Sequence, residues 1–93
     1  MHFLYIIYSP SKNTYYIGET HNIDERLIKH REHSYYGSFT KIANDWVTVL
    51  NYACSSKNDA LFLEAFIKRM KSKKFIIKVI ENPTILTDIL LNR

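Results

Sequence analysis

Two short runs of aromatic and β-branched residues, FLYIIY at 3–8 and TYYIG at 14–18, constrain this chain more than any other feature. Residues of these types favour strands. The segment between them, SPSKN with Pro10, is turn-forming. The two runs are therefore expected to pair as a β-hairpin. Side chains alternate along a strand, so Phe3, Tyr5 and Ile7 share a face. With Tyr8 paired to Tyr15, Tyr16 stands opposite Ile7 and Gly18 opposite Tyr5. Tyr5 and Tyr16 then become diagonal neighbours about 7–8 Å apart, and the glycine leaves a hollow beside Tyr5. A slip of one residue would put the two tyrosines on opposite faces.

The hairpin runs directly into a helix signal. In YIGETHNIDERLIKH, residues 16–30, Asn22 is a good N-cap and Glu25 stands where a capping box wants a carboxylate. Asp24 and Glu25 put negative charge in the first turn, which suits the helix dipole. The spacing predicts a helix over Ile23 to His33, with Ile23 and Leu27 facing the sheet. Arg26 and His30 are i and i+4, with Cβ atoms about 5–6 Å apart, and His33 falls near the same stripe. A strand delivering a tyrosine and a helix delivering arginine and histidine to one region suits phosphate handling. The same residues also fit an ordinary solvated helix face.

Gly37 in SYYGS breaks this helix, and FTKIAN at 39–44 suggests a short helical turn. WVTVLNYA at 46–53 is the next strand, with Trp46, Thr48, Leu50 and Tyr52 alternating against Val47, Val49 and Asn51. A second helix is predicted over Asp59 to Lys71, capped by Asn58 in preference to Ser56. Its stripe of Leu63, Phe66, Ile67 and Met70 has the spacing of a core-facing helix. Lys74 to Ile80 reads as a third helix, although FIIKVI fits a strand equally by propensity. Asn82 is expected to cap a last helix with Pro83 at its first position. The stripe Ile85, Leu86, Ile89 and Leu90 either folds back on the core or meets a partner chain, including a second copy.

Ninety-three residues suit a single domain, 1–93, with 82–93 as a C-terminal helical extension. The hydrophobic share of 46% is that of an ordinary globular protein. A net charge of +4 and a pI near 9.2 favour an acidic partner, nucleic acid first and an anionic membrane surface second. Cys54 is the single cysteine, so neither an intrachain disulfide nor a multi-cysteine zinc site can form. A reducing, cytoplasmic setting is the expectation. The apolar run from Phe3 to Tyr8 is too short to span a bilayer, and no basic segment precedes it as in a signal peptide. No membrane association is expected.

Phosphodiester hydrolysis needs a base for the attacking water, a cation for the developing charge, help for the leaving oxygen, and positioning. One divalent metal can supply the second and third of these. Mg²⁺ prefers oxygen ligands and keeps several waters, so a single protein carboxylate can suffice. Glu64, within LEAFIKR, is the best such candidate, although an i,i+4 salt bridge to Lys68 is its commoner role. Arg26 could grip a phosphate in a forked geometry. Tyrosine, with an ordinary pKa of about 10, serves as a base only where a nearby cation or hydrogen bond favours the phenolate.

Taken together, Phe3-Leu4-Tyr5, Tyr16-Ile17-Gly18, Arg26, His30 and Glu64 resemble the GIY-YIG nuclease family over about residues 3–75. DERL at 24–27, the strand beginning at Trp46 and EAFIKRMKSKK at 64–74 extend the match. The chain is most similar to the small, stand-alone branch, which shares its core with the N-terminal domain of a DNA-repair excinuclease. The resemblance implies an α+β fold, a three-stranded antiparallel sheet flanked by helices. It also implies metal-dependent DNA endonuclease activity with Mg²⁺ or Mn²⁺, in repair or processing of structured DNA. Carried over by position, Tyr5 and Tyr16 are the paired tyrosines, with Tyr5 favoured as general base and Tyr16 assisting. Arg26 would stabilise phosphate charge, His30 would hydrogen-bond a tyrosine or the phosphate, and Glu64 would hold the metal.

Three positions depart from the family pattern. Phe3 replaces the first motif's glycine. Phe39 stands where some members have a further His or Tyr, with His33 or Tyr36 as substitutes. Asn82 is a distant counterpart of a late asparagine in some members. Lys29, Arg31, Lys68, Arg69, Lys71, Lys73, Lys74 and Lys78 suit backbone phosphates and carry no base readout. Sequence specificity is therefore expected to come from a partner or from DNA shape. The alternative function is a catalytically weak nucleic-acid-binding module with the same fold.

Overall fold

The computed structural model describes residues 1–31 and 39–93, the side chains of His30, Phe39 and Thr40 excepted. Strands β1 (His2–Ser9), β2 (Thr14–Thr20) and β3 (Val47–Cys54) form one antiparallel sheet in the order β2-β1-β3. Helix α1 (Ile23–Arg31) follows β2, and a 3-10 turn, Phe39–Ile42, precedes β3. Helices α2 (Lys57–Met70), α3 (Lys73–Glu81) and α4 (Thr84–Leu91) complete the chain. This is the α+β architecture that the sequence predicts.

The central place of β1 follows from its composition. Leu4, Tyr5, Ile6 and Ile7 are all fully buried, so both faces of the strand are covered. Leu4 and Ile6 join Ile17 in the larger core, against Ala60, Leu63 and Ile67 of α2, Val79 of α3 and Leu86 of α4. Tyr5 and Ile7 join Trp46 and Ala43 in a smaller core on the opposite face, closed by Ile23 and Leu27 of α1. The hairpin register is the expected one, with Tyr8 opposite Tyr15, Ile7 opposite Tyr16 and Tyr5 opposite Gly18.

Asp45 anchors the hairpin turn to the approach of β3. Its carboxylate accepts from the Ser9 hydroxyl at 2.6 Å and from the Ser11 amide at 2.9 Å. These bonds, led by the one from Ser9, hold its carboxyl below the ordinary value.

Several expectations are corrected. The alternation expected for β3 breaks at a bulge, because Ile6 pairs with Leu50 but Ile7 pairs with Thr48. Val49 is the extra residue. Trp46 therefore enters the smaller core, while Val49, Leu50 and Tyr52 pack against the larger one. Helix α2 starts earlier than predicted and is capped by Ser56, not Asn58. Ser56 has extended backbone, φ −146 and ψ 160, and its side chain accepts from the Asp59 amide at 3.1 Å. Asn22 caps α1 by accepting from the Glu25 amide at 3.1 Å, but its own amide donates to the Thr20 hydroxyl. Glu25 pairs instead with Lys29 at 3.3 Å.

Residues 74–80 are helical, since Phe75, Ile76, Val79 and Ile80 all reach the core with helical spacing. Pro83, not Asn82, holds the N-cap position of α4, one residue later than expected. Its locked φ of −62 suits a helix start, and the Asn82 side chain instead accepts from the Thr84 hydroxyl at 2.5 Å. The apolar stripe of α4 folds back on the core, burying Leu86. An ion pair of 2.6 Å between Arg93 and Asp59 fastens the end of this helix to the start of α2. Among the described residues, no helix is long and apolar enough to cross a membrane.

Candidate active site

The hairpin places the two motif tyrosines on one face. Their ring centroids lie 6.5 Å apart with planes inclined at 45°. Tyr5 is fully buried because its ring occupies the space where a residue-18 side chain would stand. A Cβ at Gly18 would fall 2.4 Å from the Tyr5 Oη and 2.5 Å from its Cζ. Gly18 is required here by this close approach. Tyr16 is half-buried, at the outer strand β2.

Helix α1 lies over the same face through Ile23 and Leu27. Arg26 sits between these two anchors and is half-buried. The far end of the helix is tied down by Arg31, whose Nε donates to the Trp46 carbonyl at 2.8 Å. His30 belongs to α1, and its side chain lies outside the described residues, as do His33, Tyr36 and the side chain of Phe39.

Glu64 arrives from the other layer. Helix α2 packs through Ala60, Leu63 and Ile67, which leaves Glu64 and Lys68 together one turn apart. The Lys68 ammonium donates to Glu64 Oε2 at 2.7 Å and lies 5.3 Å from the centroid of the Tyr16 ring. The i,i+4 pair read from the sequence is thus present, and the same lysine reaches the hairpin phenol. Acid and phenol meet at the edge of β2 through one cation. Sequence reasoning counted Lys68 among the phosphate-contacting residues and missed this bridge. Its position i+4 from Glu64 was the available signal, but only the packing of α2 across β2 brings it to Tyr16.

Among the described residues, no cluster of three or more His, Cys, Asp or Glu could enclose a metal. Glu64 Oε1 makes no hydrogen bond among the described residues, so the carboxylate keeps one hard oxygen available. That donor set fits a hydrated hard cation held by one carboxylate and does not fit zinc. Cys54 lies in the larger core, and that burial pushes its thiol up from the ordinary value.

The remaining basic residues divide. Lys73 donates to the Asn13 carbonyl at 2.8 Å and lies 5.9 Å from the Tyr15 ring. Arg69 lies over Phe66. Lys71 ends α2 in the left-handed conformation, φ 50. Lys74 and Lys78 are exposed on α3. Asn82 lies at the junction of α3 and α4.

Comparison with known proteins adds one finding. A family model described as the GIY-YIG catalytic domain matches residues 1–76, from β1 into α3. No curated protein and no solved structure matches the chain.

Proposed function

This chain belongs to the GIY-YIG family, and we propose that it is a metal-dependent endonuclease that hydrolyses DNA phosphodiester bonds. Membership implies nuclease activity in general, and nucleases of this family generally use divalent metal ions. The observation that carries the fuller reading is the bridge from Glu64 through Lys68 to Tyr16, which joins the α2 acid to the hairpin phenols.

Each residue then has a task. Tyr5, reacting as the phenolate, takes the proton of the attacking water and becomes the neutral phenol, and Tyr16 orients that water beside it. The Lys68 ammonium, held beside the Tyr16 ring, draws in the phosphate. Arg26 stabilises the charge that grows on the phosphate oxygens, and His30 hydrogen-bonds the phosphate or a tyrosine. Glu64 would hold Mg²⁺ or Mn²⁺, which supplies positive charge for the phosphate and the departing oxygen. Lys29, Arg31, Arg69, Lys71, Lys73 and Lys74 contribute contacts to the DNA backbone. Because such contacts carry no base readout, structured DNA in repair or processing is the proposed substrate.

The test is nicking of supercoiled and branched DNA in Mg²⁺ or Mn²⁺. Glu64→Gln and Arg26→Ala should each slow cutting by about 100-fold or more while the fold is retained. Either variant cutting as fast as the parent overturns the assigned site. Salt-sensitive DNA binding with no cleavage of any substrate would instead select a binding module on the same fold.

A further inference from the structure

Behind the candidate site, on the other face of β2, lies a cavity of about 360 Å³. That volume falls in the range of small-molecule pockets, about 300–1,000 Å³. Its floor is apolar, from Tyr15, Ile17 and Ile67, and its rim carries Lys68, Lys71 and Lys73. Among the described residues, no acidic residue lines it. The left-handed turn at Lys71 ends α2 and lets α3 begin at once, which brings Lys71 and Lys73 to the same rim. Lys73 spends one of its three ammonium donors on the Asn13 carbonyl, at 2.8 Å. Lys68 belongs to both places, since it lines this cavity and also lies over Tyr16. Tyr15 and Tyr16 are consecutive, so the outer strand presents one tyrosine to the cavity and the next to the site.

We infer that this cavity seats an unpaired nucleotide of the DNA strand next to the cleaved phosphodiester. The inference rests on the endonuclease reading and narrows its substrate class. The rim lysines take the nucleotide's phosphate, and the base and sugar lie against Tyr15 and the isoleucines. An aromatic and apolar floor under a cationic rim is the pairing that single-stranded nucleic acid requires. A base inside an intact duplex cannot enter, so the preferred substrate has an unpaired nucleotide beside the cut, as at a flap, bubble or overhang.

The test separates binding from cutting. The full ¹⁵N-labelled chain, free of divalent metal, is titrated with deoxythymidine 5′-monophosphate, thymidine, inorganic phosphate and a short oligo(dT). The monophosphate and the oligonucleotide should shift the amides of Asn13, Thr14, Tyr15, Ser72 and Lys73. Inorganic phosphate should bind about 5- to 100-fold more weakly, because it lacks the stacking contribution of the base. Lys73→Gln and the cavity-filling Thr14→Trp should both weaken monophosphate binding, with amide dispersion reporting that each variant stays folded. Cutting of DNA with an unpaired nucleotide beside the break should exceed cutting of full duplex, and Lys73→Gln should reduce that preference. Absence of shifts in the cavity, or equal binding of phosphate and monophosphate, overturns the inference even if the chain cuts duplex DNA well. Cavity binding without any cleavage overturns the endonuclease reading and leaves the nucleotide site standing.

Discussion

Adding one methyl group at Gly18 should damage both stability and catalysis, through Tyr5. In Gly18→Ala the new Cβ would lie 2.4 Å from the Tyr5 Oη, 2.5 Å from Cζ and 2.8 Å from Cε1. Ordinary contact begins near 3.4 Å, so the ring must retreat by about 1 Å. It has nowhere easy to go, since Tyr5 is fully buried among Ile7, Ala43 and Trp46. Overpacking of this kind costs about 1–3 kcal/mol. Alanine returns about 0.4–1 kcal/mol by restricting the unfolded chain, because Gly18 does not occupy the left-handed region. The net loss of about 1–2 kcal/mol should lower Tm by about 5–15 °C in a domain of this size. Displacing the proposed general base by about 1 Å should also cost about 100-fold in nicking rate. Thermal unfolding followed by circular dichroism and a plasmid-nicking assay read the two effects. In a Tyr5→Leu background the same alanine should cost little, because the ring it meets is gone. An unchanged Tm and unchanged nicking in Gly18→Ala would refute the packing argument.

Other outcomes follow from the same geometry. Ser56→Ala should destabilise the protein by about 1 kcal/mol and Asn58→Ala by much less, because Ser56 carries the α2 cap; chemical denaturation compares them, and the reverse order would contradict the assigned helix start. Leu86→Ala should cost about 2–5 kcal/mol, since the side chain is fully buried in the larger core; a loss below 1 kcal/mol would mean that α4 is not seated on the core. Asp45 has a carboxyl held below its ordinary value of 3.8, so its contribution is complete above that pH and fades as pH falls through the lowered value. Asp45→Asn should therefore be less stable than the parent near neutrality, and the two should converge below pH 3.8; a gap that persists in acid would assign the effect to shape, not charge.

Local chemistry made much of this molecule legible in advance. Pro10 and Asn13 in a turn between two β-forming runs left little choice but a hairpin, while its register rested on the assumed Tyr8–Tyr15 pairing, which the observed Tyr5–Gly18 pair bears out. Ile23 and Leu27 of α1 and Leu63 and Ile67 of α2 followed from helical spacing. Met70, expected on the same α2 stripe, is instead exposed where the helix ends beyond the core, Phe66 lies outside the larger core, and Ala60 takes a core position. Reading failed where two local signals competed. Ser56 and Asn58 are both good caps, and the choice between them depends on where β3 releases the chain. FIIKVI suits either a strand or a helix, and the larger core settled it by accepting one helical face.

Other features depend on residues far apart in sequence and carry no local signature. The bulge at Val49 arises because β3 must match β1 while sending Trp46 to one core and Leu50 to the other. The meeting of Glu64, Lys68 and Tyr16 requires α2 to cross behind the outer strand. The cavity exists only where the hairpin turn, the end of α2 and the start of α3 converge. The sequence by itself determined which residue types each element would present and at what spacing, because backbone periodicity acts over a few residues. Tertiary structure alone decided which of those residues face one another, because burying two sides of one central strand sets the position of every layer at once.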